Sequence, residues 1–155
     1  MITLHHLEYS QSFRILWLLE ELGAPYELKI YDRDPETRLA PAEYKALSPL
    51  GTAPVITDDT GLVLAESNAV IDYILDSHPE SPLRPAPGDA ARVDYLFWFH
   101  AGVGSLMPMQ FFNGLLTMMK ARSPALVRSV IGIATDKVRE MLVAPRLKVL
   151  FDKLE

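Results

Sequence analysis

Two short stretches near the start of the chain alternate apolar and polar residues, and a helical pattern lies between them. Ile2–Leu7 is rich in β-forming residues and predicts a first strand, and the alternation over 26–31 predicts a second. Over 13–22 the apolar residues recur at helical spacing, with Ser12 as the expected N-cap and Gly23 as the expected stop. A strand, a helix and a strand in this order predict a parallel pair with a right-handed crossover.

The residues that follow complete the pattern of a mixed sheet. Residues 42–47 predict a short helix, and 54–57 and 62–64 predict two strands joined by the turn sequence Asp-Asp-Thr-Gly. From Ser67 the apolar residues again recur at helical spacing, so a further helix is expected there. The order β-α-β-(α)-β-β-α predicts an α/β layer in which helices pack on a mixed four-stranded sheet.

A proline-rich segment separates this first half from the rest of the chain. Four prolines lie between His78 and Gly88, and such crowding is typical of a stiff linker. We therefore expect a first domain over 1–80, a linker over 81–88 and an all-α region over 89–155.

The second half of the chain is predicted to be helical. Residues 89–119 predict one helix or a bent pair broken near Pro108, and a further helix is expected from Ser123-Pro124 until Pro145. Residues 95–119 hold 25 residues without a formal charge, a length that can span a bilayer. Their polar side chains, proline and three glycines favour a buried helix, so no membrane association is expected.

Charge and composition exclude several classes of function. The 15 basic and 20 acidic residues give a net charge of −5, so nucleic acid is not an expected partner. The sequence has no Cys, which excludes disulfides, cysteine-ligated metals and a catalytic protein thiol, and which fits a reducing cytosol. His5 and His6 are adjacent on a predicted strand and point to opposite faces, so no metal site is expected.

The segment Ser-Pro-Leu-Gly-Thr-Ala-Pro-Val, residues 48–55, contains the first candidate for ligand binding. Pro54 opens a predicted strand, and the bond before a proline is the only one at which a cis peptide is common. A cis bond would turn the N–H and C=O of Ala53 outward, where they can pair with an extended peptide. The alternative is an ordinary proline at the start of a strand.

Glu66 and Ser67 form the second candidate. Ser67 lies at the predicted N-terminus of a helix, where its hydroxyl and the backbone N–H groups can hold a carboxylate. Glu66 beside it can hold an ammonium group, so the pair suits the α-amino-acid end of a ligand. A serine cap preceded by a solvated glutamate is the alternative.

Three motifs in this order resemble a known family. The stretches RILWLLEELG-A-PYELK, PLGTAPVI and LAESNAVIDYIL are similar to the N-terminal domain of cytosolic glutathione transferases, and most of all to bacterial and fungal members. The resemblance is strong over 1–80 and continues more weakly through ARVDYLFWFH and SLMPM. It implies a thioredoxin-like first domain followed by an all-α domain. We expect only a part of that second domain here, since the sequence ends at Glu155. Either the sequence is a fragment or truncated product, or its helices bury their apolar faces against another chain.

The resemblance implies roles for particular residues. Ala53, before the cis-proline Pro54, would pair with the cysteine backbone of glutathione, and Glu66 and Ser67 would hold the γ-glutamyl end. Thr52 would contribute at the glycine end.

The resemblance also implies a hydroxyl that stabilises the thiolate, close to the end of the first strand. Tyr9, Ser10 and Ser12 all lie in the right segment, but Ser12 is expected to be the helix N-cap. Ser10 matches the serine of serine-type members, and the choice between Ser10 and Tyr9 stays open.

The implied function is the transfer of glutathione, as co-substrate, to a small hydrophobic electrophile by a cytoplasmic homodimer, without a metal. The alternative is a glutathione-transferase-like binding or regulatory protein with little or no turnover. A glutathione-dependent peroxidase activity is also compatible with the motifs.

Overall fold

A four-stranded mixed sheet organises the first part of the chain in a computed structural model that describes residues 1–154. The strands are β1 (Ile2–Leu7), β2 (Tyr26–Tyr31), β3 (Val55–Asp58) and β4 (Val63–Ala65), in the order β2-β1-β3-β4. β1 pairs in parallel with β2 and antiparallel with β3, which pairs antiparallel with β4. The predicted mixed sheet and its parallel β-α-β unit are confirmed.

Three helices accompany this sheet: α1 (Ser12–Leu22), α2 (Ala42–Lys45) and α3 (Ser67–Asp76). One buried cluster joins the sheet to α1 and α3, and its fully buried members are Leu4, Ile15, Leu19, Ile56, Val70 and Ile74. A second cluster, built from Leu7, Tyr31, Tyr44 and Val55, joins the sheet to α2. The end of β1 contributes to the second cluster, and β1 leads there directly into the candidate site.

The two ends of α1 differ in how well the sequence predicts them. Gly23 ends the helix in the left-handed conformation, with φ 58°, so the predicted stop is confirmed. The prediction that Ser12 is the N-cap is wrong, because Ser12 is the first helical residue and Gln11 holds the cap position. The Ser12 hydroxyl instead accepts a hydrogen bond from the Leu7 N–H (3.2 Å), and it thereby fixes the end of β1.

β2 is an edge strand, and its apolar side chains lie on the surface. The alternation correctly predicts a strand, yet Leu28 is exposed and Ile30 is 64% exposed, while Tyr31 is buried. An edge strand has a neighbouring strand on one side only. The buried residue of β2 is Tyr31, at the end of the strand.

The rest of the chain is helical. The chain divides into two compact units, the first spanning 1–92 and the second beginning at Val93. The helices are α4 (Arg92–Ala101), α5 (Met107–Arg122), α6 (Arg128–Val138) and α7 (Ala144–Asp152), with π-helical segments at Gly102–Leu106 and Arg139–Val143. Among residues 1–154, no helix combines the length and the apolar character needed to cross a bilayer. The division into 1–80, 81–88 and 89–155 stays a prediction.

Three boundaries in this helical region differ from their prediction. The break expected at Pro108 lies in the preceding π-helical segment, and Pro108 sits in the first turn of α5, where no N–H is needed. α6 begins at Arg128 rather than at Ser123-Pro124, because Ser123 ends α5 and its hydroxyl bonds the Met119 carbonyl. Pro145 does not end a helix, since it lies in the first turn of α7.

Candidate functional site

A cavity of about 350 Å³ opens beyond the end of β1, and we call it the first cavity. Four residues of the predicted site line it, namely Tyr9, Ser10, Thr52 and Ala53. Tyr9 and Ser10 come from the turn between β1 and α1, whereas Thr52 and Ala53 precede β3. Because β3 pairs antiparallel with β1, the start of β3 lies beside the end of β1. The sheet thus brings together two segments that are more than 40 residues apart.

The peptide bond between Ala53 and Pro54 is cis, which is the first of the two alternatives left by the sequence. Within residues 1–154, neither the N–H nor the C=O of Ala53 forms a hydrogen bond. Both groups belong to a residue that lines the first cavity. They are a donor and an acceptor available to an extended ligand.

Glu66 and Ser67 lie at the same end of the sheet, but they are not part of the lining of the first cavity. Val55 pairs with Ala65, so Glu66, which follows β4, lies next to the segment that precedes β3. Ser67 is buried and is the first residue of α3, and Glu66 holds the cap position with φ 78° and ψ 124°. A positive φ is strained for a residue with a side chain, and such strain clusters at functional sites.

Tyr9 and Ser10 also line a second cavity of about 430 Å³, together with His6, Glu8 and Phe13. The Tyr9 side chain is 78% exposed, and the Arg38 guanidinium lies 5.3 Å from the centre of its ring. Ser10 is less exposed, and its Oγ lies 2.7 Å from the Oγ of Ser12. Of the two candidate hydroxyls, that of Ser10 is therefore the one held by its neighbours.

Sequence reasoning missed a hydrogen-bonded row behind Ser10. The Ser12 Oγ lies 2.9 Å from Nδ1 of His6 and also contacts the Ser10 Oγ, so hydrogen bonds connect His6 to Ser12 and Ser12 to Ser10. In the sequence, His6 raises only the question of a metal ligand, and Ser12 is interpreted as a helix cap rather than as the hydroxyl of the site. The signal in the sequence is weak, because the contact depends on how the turn folds α1 back onto β1.

Two cations of the first cavity were also missed, Arg33 and Lys45. Arg33 donates hydrogen bonds from Nε to the Glu8 carbonyl (2.8 Å) and from Nη2 to the Tyr9 carbonyl (3.4 Å), so it holds the turn that carries Tyr9 and Ser10. Lys45 is exposed and forms no salt bridge within residues 1–154. Both lie in the polar stretch 32–48, where cations alone do not reveal which side chains face a cavity.

The site rests on a buried, uncharged layer. His5 bonds the Tyr31 hydroxyl through Nδ1 (2.9 Å) and the Thr57 hydroxyl through Nε2 (3.0 Å), and burial, with a smaller contribution from Lys29, lowers its pKa. The Tyr44 hydroxyl donates to the His5 carbonyl (3.3 Å), and burial raises the pKa of Tyr44 to about 12. Both groups are thus held neutral at pH 7.

Comparison with known proteins links this arrangement to one family. Residues 10–77 match the family described as glutathione S-transferase, N-terminal domain. The chain is 39% identical over 132 residues to glutathione S-transferase 3 of Schizosaccharomyces pombe, with 84% of this chain and 53% of that protein covered. It is 32% identical over 165 residues to glutathione S-transferase 1 of Saccharomyces cerevisiae, with 100% of this chain and 68% of that protein covered. The chain therefore spans between 53% and 68% of the length of these two relatives.

A solved structure gives the same result for the fold. A glutathione S-transferase from Actinobacillus pleuropneumoniae superimposes with a TM-score of 0.66 at 41% sequence identity. The match covers 88% of this chain and 61% of the bacterial protein. The aligned part includes more than the sheet, because the matched share of this chain exceeds residues 1–92.

Proposed function

The chain belongs to the glutathione S-transferase family, and from this premise we propose that it binds glutathione in the first cavity and promotes the reaction of its thiol with a small hydrophobic electrophile. The observation that carries the proposal is the convergence of Tyr9, Ser10, Thr52 and Ala53 on this cavity. A volume of about 350 Å³ lies within the range of pockets for small ligands.

The backbone of Ala53 supports binding of the central residue of glutathione. Its N–H and C=O have no partner among residues 1–154 and belong to the lining of the cavity. An extended peptide that pairs with both gains two main-chain hydrogen bonds, as an added strand does at the edge of a sheet. The cysteine residue of glutathione is the part of the ligand with both groups free on one side.

The two ends of glutathione carry charge, and the chain offers a partner for each. Glu66 accepts the ammonium of the γ-glutamyl end, while Ser67 and the N-terminus of α3 attract its carboxylate. Lys45, which is exposed in the lining of the first cavity, and Thr52 suit the carboxylate of the glycine end. Arg33 adds positive charge there, although its hydrogen bonds go to backbone carbonyls.

The hydroxyl that stabilises the thiolate is assigned to Ser10, with Tyr9 as the alternative. Ser10 lines both cavities and lies close to the N-terminus of α1, which favours a negative charge. Tyr9 lines both cavities as well, but its side chain is largely exposed. A hydroxyl that donates to sulfur lowers the pKa of the thiol and raises the thiolate fraction.

The experiment measures glutathione binding by calorimetry and turnover of a generic aryl halide in the full chain. A hydrogen bond to a charged group contributes about 1.5–3 kcal/mol, so Ser10→Ala is expected to lower kcat by about tenfold to a hundredfold and to leave binding intact. Ser77→Ala is the matched control, because Ser77 is exposed at the far end of α3. If activity survives in Ser10→Ala and disappears in Tyr9→Phe, the hydroxyl that stabilises the thiolate is that of Tyr9.

Binding without turnover in the unmodified chain would support the second candidate, a glutathione-binding protein with little activity. The hydrogen bond between Ser10 and Ser12 is the observation that favours this candidate, because it engages the hydroxyl on which activation depends. The absence of binding would refute both candidates.

Family membership also supports two broader proposals, a homodimer and a cytosolic location. Sedimentation equilibrium is expected to give twice the mass of the chain.

A further inference from the structure

Three side chains form a continuous hydrogen-bonded row from β1 to the cavities. Nδ1 of His6 lies 2.9 Å from Oγ of Ser12, and Oγ of Ser12 lies 2.7 Å from Oγ of Ser10. Ser12 is completely buried, whereas both His6 and Ser10 line the second cavity. Ser10 also lines the first cavity, where the proposed ligand binds. The row therefore connects a base to the group that faces the ligand.

The direction of the hydrogen bonds follows from counting at Ser12. A hydroxyl offers one proton and two lone pairs. The Leu7 N–H, at 3.2 Å, occupies one lone pair, since a backbone N–H is always a donor. The remaining lone pair and the proton of Ser12 form its hydrogen bonds with His6 and Ser10. One of these two residues therefore donates to Ser12, and the other accepts the Ser12 proton. The Leu7 carbonyl, at 3.4 Å, is the weaker acceptor for the same proton.

Two arrangements satisfy this count. In the inward arrangement Ser10 donates to Ser12, and Ser12 donates to the bare Nδ1 of His6. In the outward arrangement the Nδ1–H of His6 donates to Ser12, and Ser12 donates to Ser10. The Ser10 Oγ also accepts the Ser12 N–H at 3.2 Å in both. In the inward arrangement, one lone pair of Ser10 Oγ stays available to accept a hydrogen bond from the ligand. In the outward arrangement, the Ser10 proton stays available to donate one.

These two arrangements match the two states of a thiol. The inward arrangement accepts a hydrogen bond from S–H, and the outward arrangement donates one to a thiolate. A shift of one proton along each hydrogen bond converts the first into the second. The row is thus able to remove the thiol proton and to stabilise the resulting charge in the same event.

We propose that His6 takes up the proton of the glutathione thiol through Ser10 and Ser12, an inference that rests on the proposed function. The S–H bond breaks and its electron pair stays on sulfur, while the proton passes to Ser10 Oγ. The former Ser10 proton moves to Ser12 Oγ, and the former Ser12 proton moves to Nδ1 of neutral His6. The products are a thiolate and an imidazolium, with no change in oxidation state. His6 and Ser12 act through Ser10 and are positioning residues.

The surroundings of His6 suit this role. Glu8 and Tyr9 are the titratable groups that share the second cavity with it, and neither of them is a cation. The residue paired with His6 on β2 is Ile30, and α1 presents Ser12 and Phe13, none of which is charged. The open second cavity gives the proton a route to solvent after each turnover.

The neighbouring His5 shows why only one of the two histidines has this role. Both ring nitrogens of His5 are bonded to the hydroxyls of Tyr31 and Thr57, on the opposite face of β1. His6 points toward α1, and its Nδ1 contacts the serine that leads to the cavity.

The test compares His6→Asn with His78→Asn in the full chain with bound glutathione. Asparagine places an amide near the position of Nδ1, so the hydrogen bond to Ser12 is retained, but it takes up no proton. His78 is the matched control, because its Nδ1 bonds the Ile74 carbonyl on α3. The thiolate is followed by its ultraviolet absorbance during a pH titration, together with kcat, KM and the Kd for glutathione.

We expect His6→Asn to raise the pKa of the bound thiol by about one unit, which is a tenfold smaller thiolate fraction. The value of kcat is expected to fall about tenfold, while KM and the Kd for glutathione stay unchanged. His78→Asn is expected to leave all four values unchanged. An unchanged thiol pKa in His6→Asn, with binding and a lowered thiol pKa in the unmodified chain, would refute the relay and leave the proposed function standing.

A second variant, His6→Ala, tests the relay independently if His6→Asn fails to fold. His6→Ala opens space at the second cavity, and added imidazole is expected to restore a part of the lost activity there. Imidazole is expected to have no effect on Ser10→Ala, in which the row is broken at the ligand. If imidazole rescues neither variant, the base is not at His6. If the unmodified chain does not bind glutathione, the proposed function fails, and the relay fails with it.

Discussion

At the scale of single residues, Glu66 combines a strained backbone with a place in the proposed ligand site. Its φ of 78° is disfavoured for any residue with a side chain, and such a conformation costs about 1–3 kcal/mol. Residues of this kind persist where a function requires them, so stability and ligand binding are expected to oppose each other here.

The first residue-scale prediction separates these two effects. Glu66→Gly removes about 1–3 kcal/mol of strain and adds about 0.5–1 kcal/mol of glycine entropy cost, so the free energy of unfolding is expected to stay equal or to rise by up to about 2.5 kcal/mol. Glutathione binding is expected to weaken at least tenfold, because the partner of the ammonium is lost. Urea unfolding and calorimetry measure the two quantities. Glu66→Gln keeps the strained backbone and should weaken binding without a gain in stability.

The second residue-scale prediction concerns pH and His5. Burial lowers the pKa of folded His5 below its ordinary value of 6.5, so between the two values the unfolded chain binds more protons than the folded chain. The free energy of unfolding therefore rises with pH through this window. The contribution of His5 to it is lost progressively as the pH falls below about 6.5. His5→Asn is expected to flatten this dependence in urea titrations between about pH 5 and 8. His78→Asn leaves His5 and both of its hydrogen bonds in place and is the matched control.

At the scale of elements, periodicity predicted the type of most helices and strands, but it did not show which face of each is buried. The alternation in β2 marks a strand, yet its exposed Leu28 and Ile30 follow from its place at the edge of the sheet. Ser12 looks like a cap in the sequence, and its contact with β1 exists only after folding. Ala53 was found because its motif is local, whereas the relay of His6 depends on two elements meeting.

The element-scale prediction uses the end of α1. Gly23 has φ 58°, and an added Cβ there meets no atom within 4 Å, so only the backbone conformation opposes a side chain. Gly23→Ala is expected to lower the free energy of unfolding by about 1 kcal/mol. Gly23→Asn is expected to cost less, since asparagine tolerates the left-handed region. Equal losses in the two variants would mean that crowding, and not conformation, decides the cost.

At the scale of the whole molecule, the buried apolar side chains are concentrated in one unit. Both hydrophobic clusters lie within residues 1–92. In the described part of the second unit, the buried hydrophobic residues are Ala101, Leu116 and Val143, while Val130 and Ile133 are exposed. The second unit is therefore expected to be the less stable of the two.

The two tryptophans test this expectation, because Trp17 lies in the first unit and Trp98 in the second. In urea, the fluorescence of a Trp17→Phe variant reports the second unit, and that of a Trp98→Phe variant reports the first. We expect the Trp98 signal to change at the lower urea concentration. Superimposable transitions in the two variants would show that the chain unfolds as one cooperative body.

The relay occupies residues 6–12, and the groups proposed to hold the ligand lie at 45–67. In evolutionary terms, thiol ionisation and glutathione binding are therefore encoded in separate stretches of the gene, and a mutation can change one without the other. A lineage that replaces His6 or Ser10 keeps every residue proposed to grip glutathione and loses the means to ionise it. Carriers and enzymes are thus expected to arise from one ancestor by changes at very few codons.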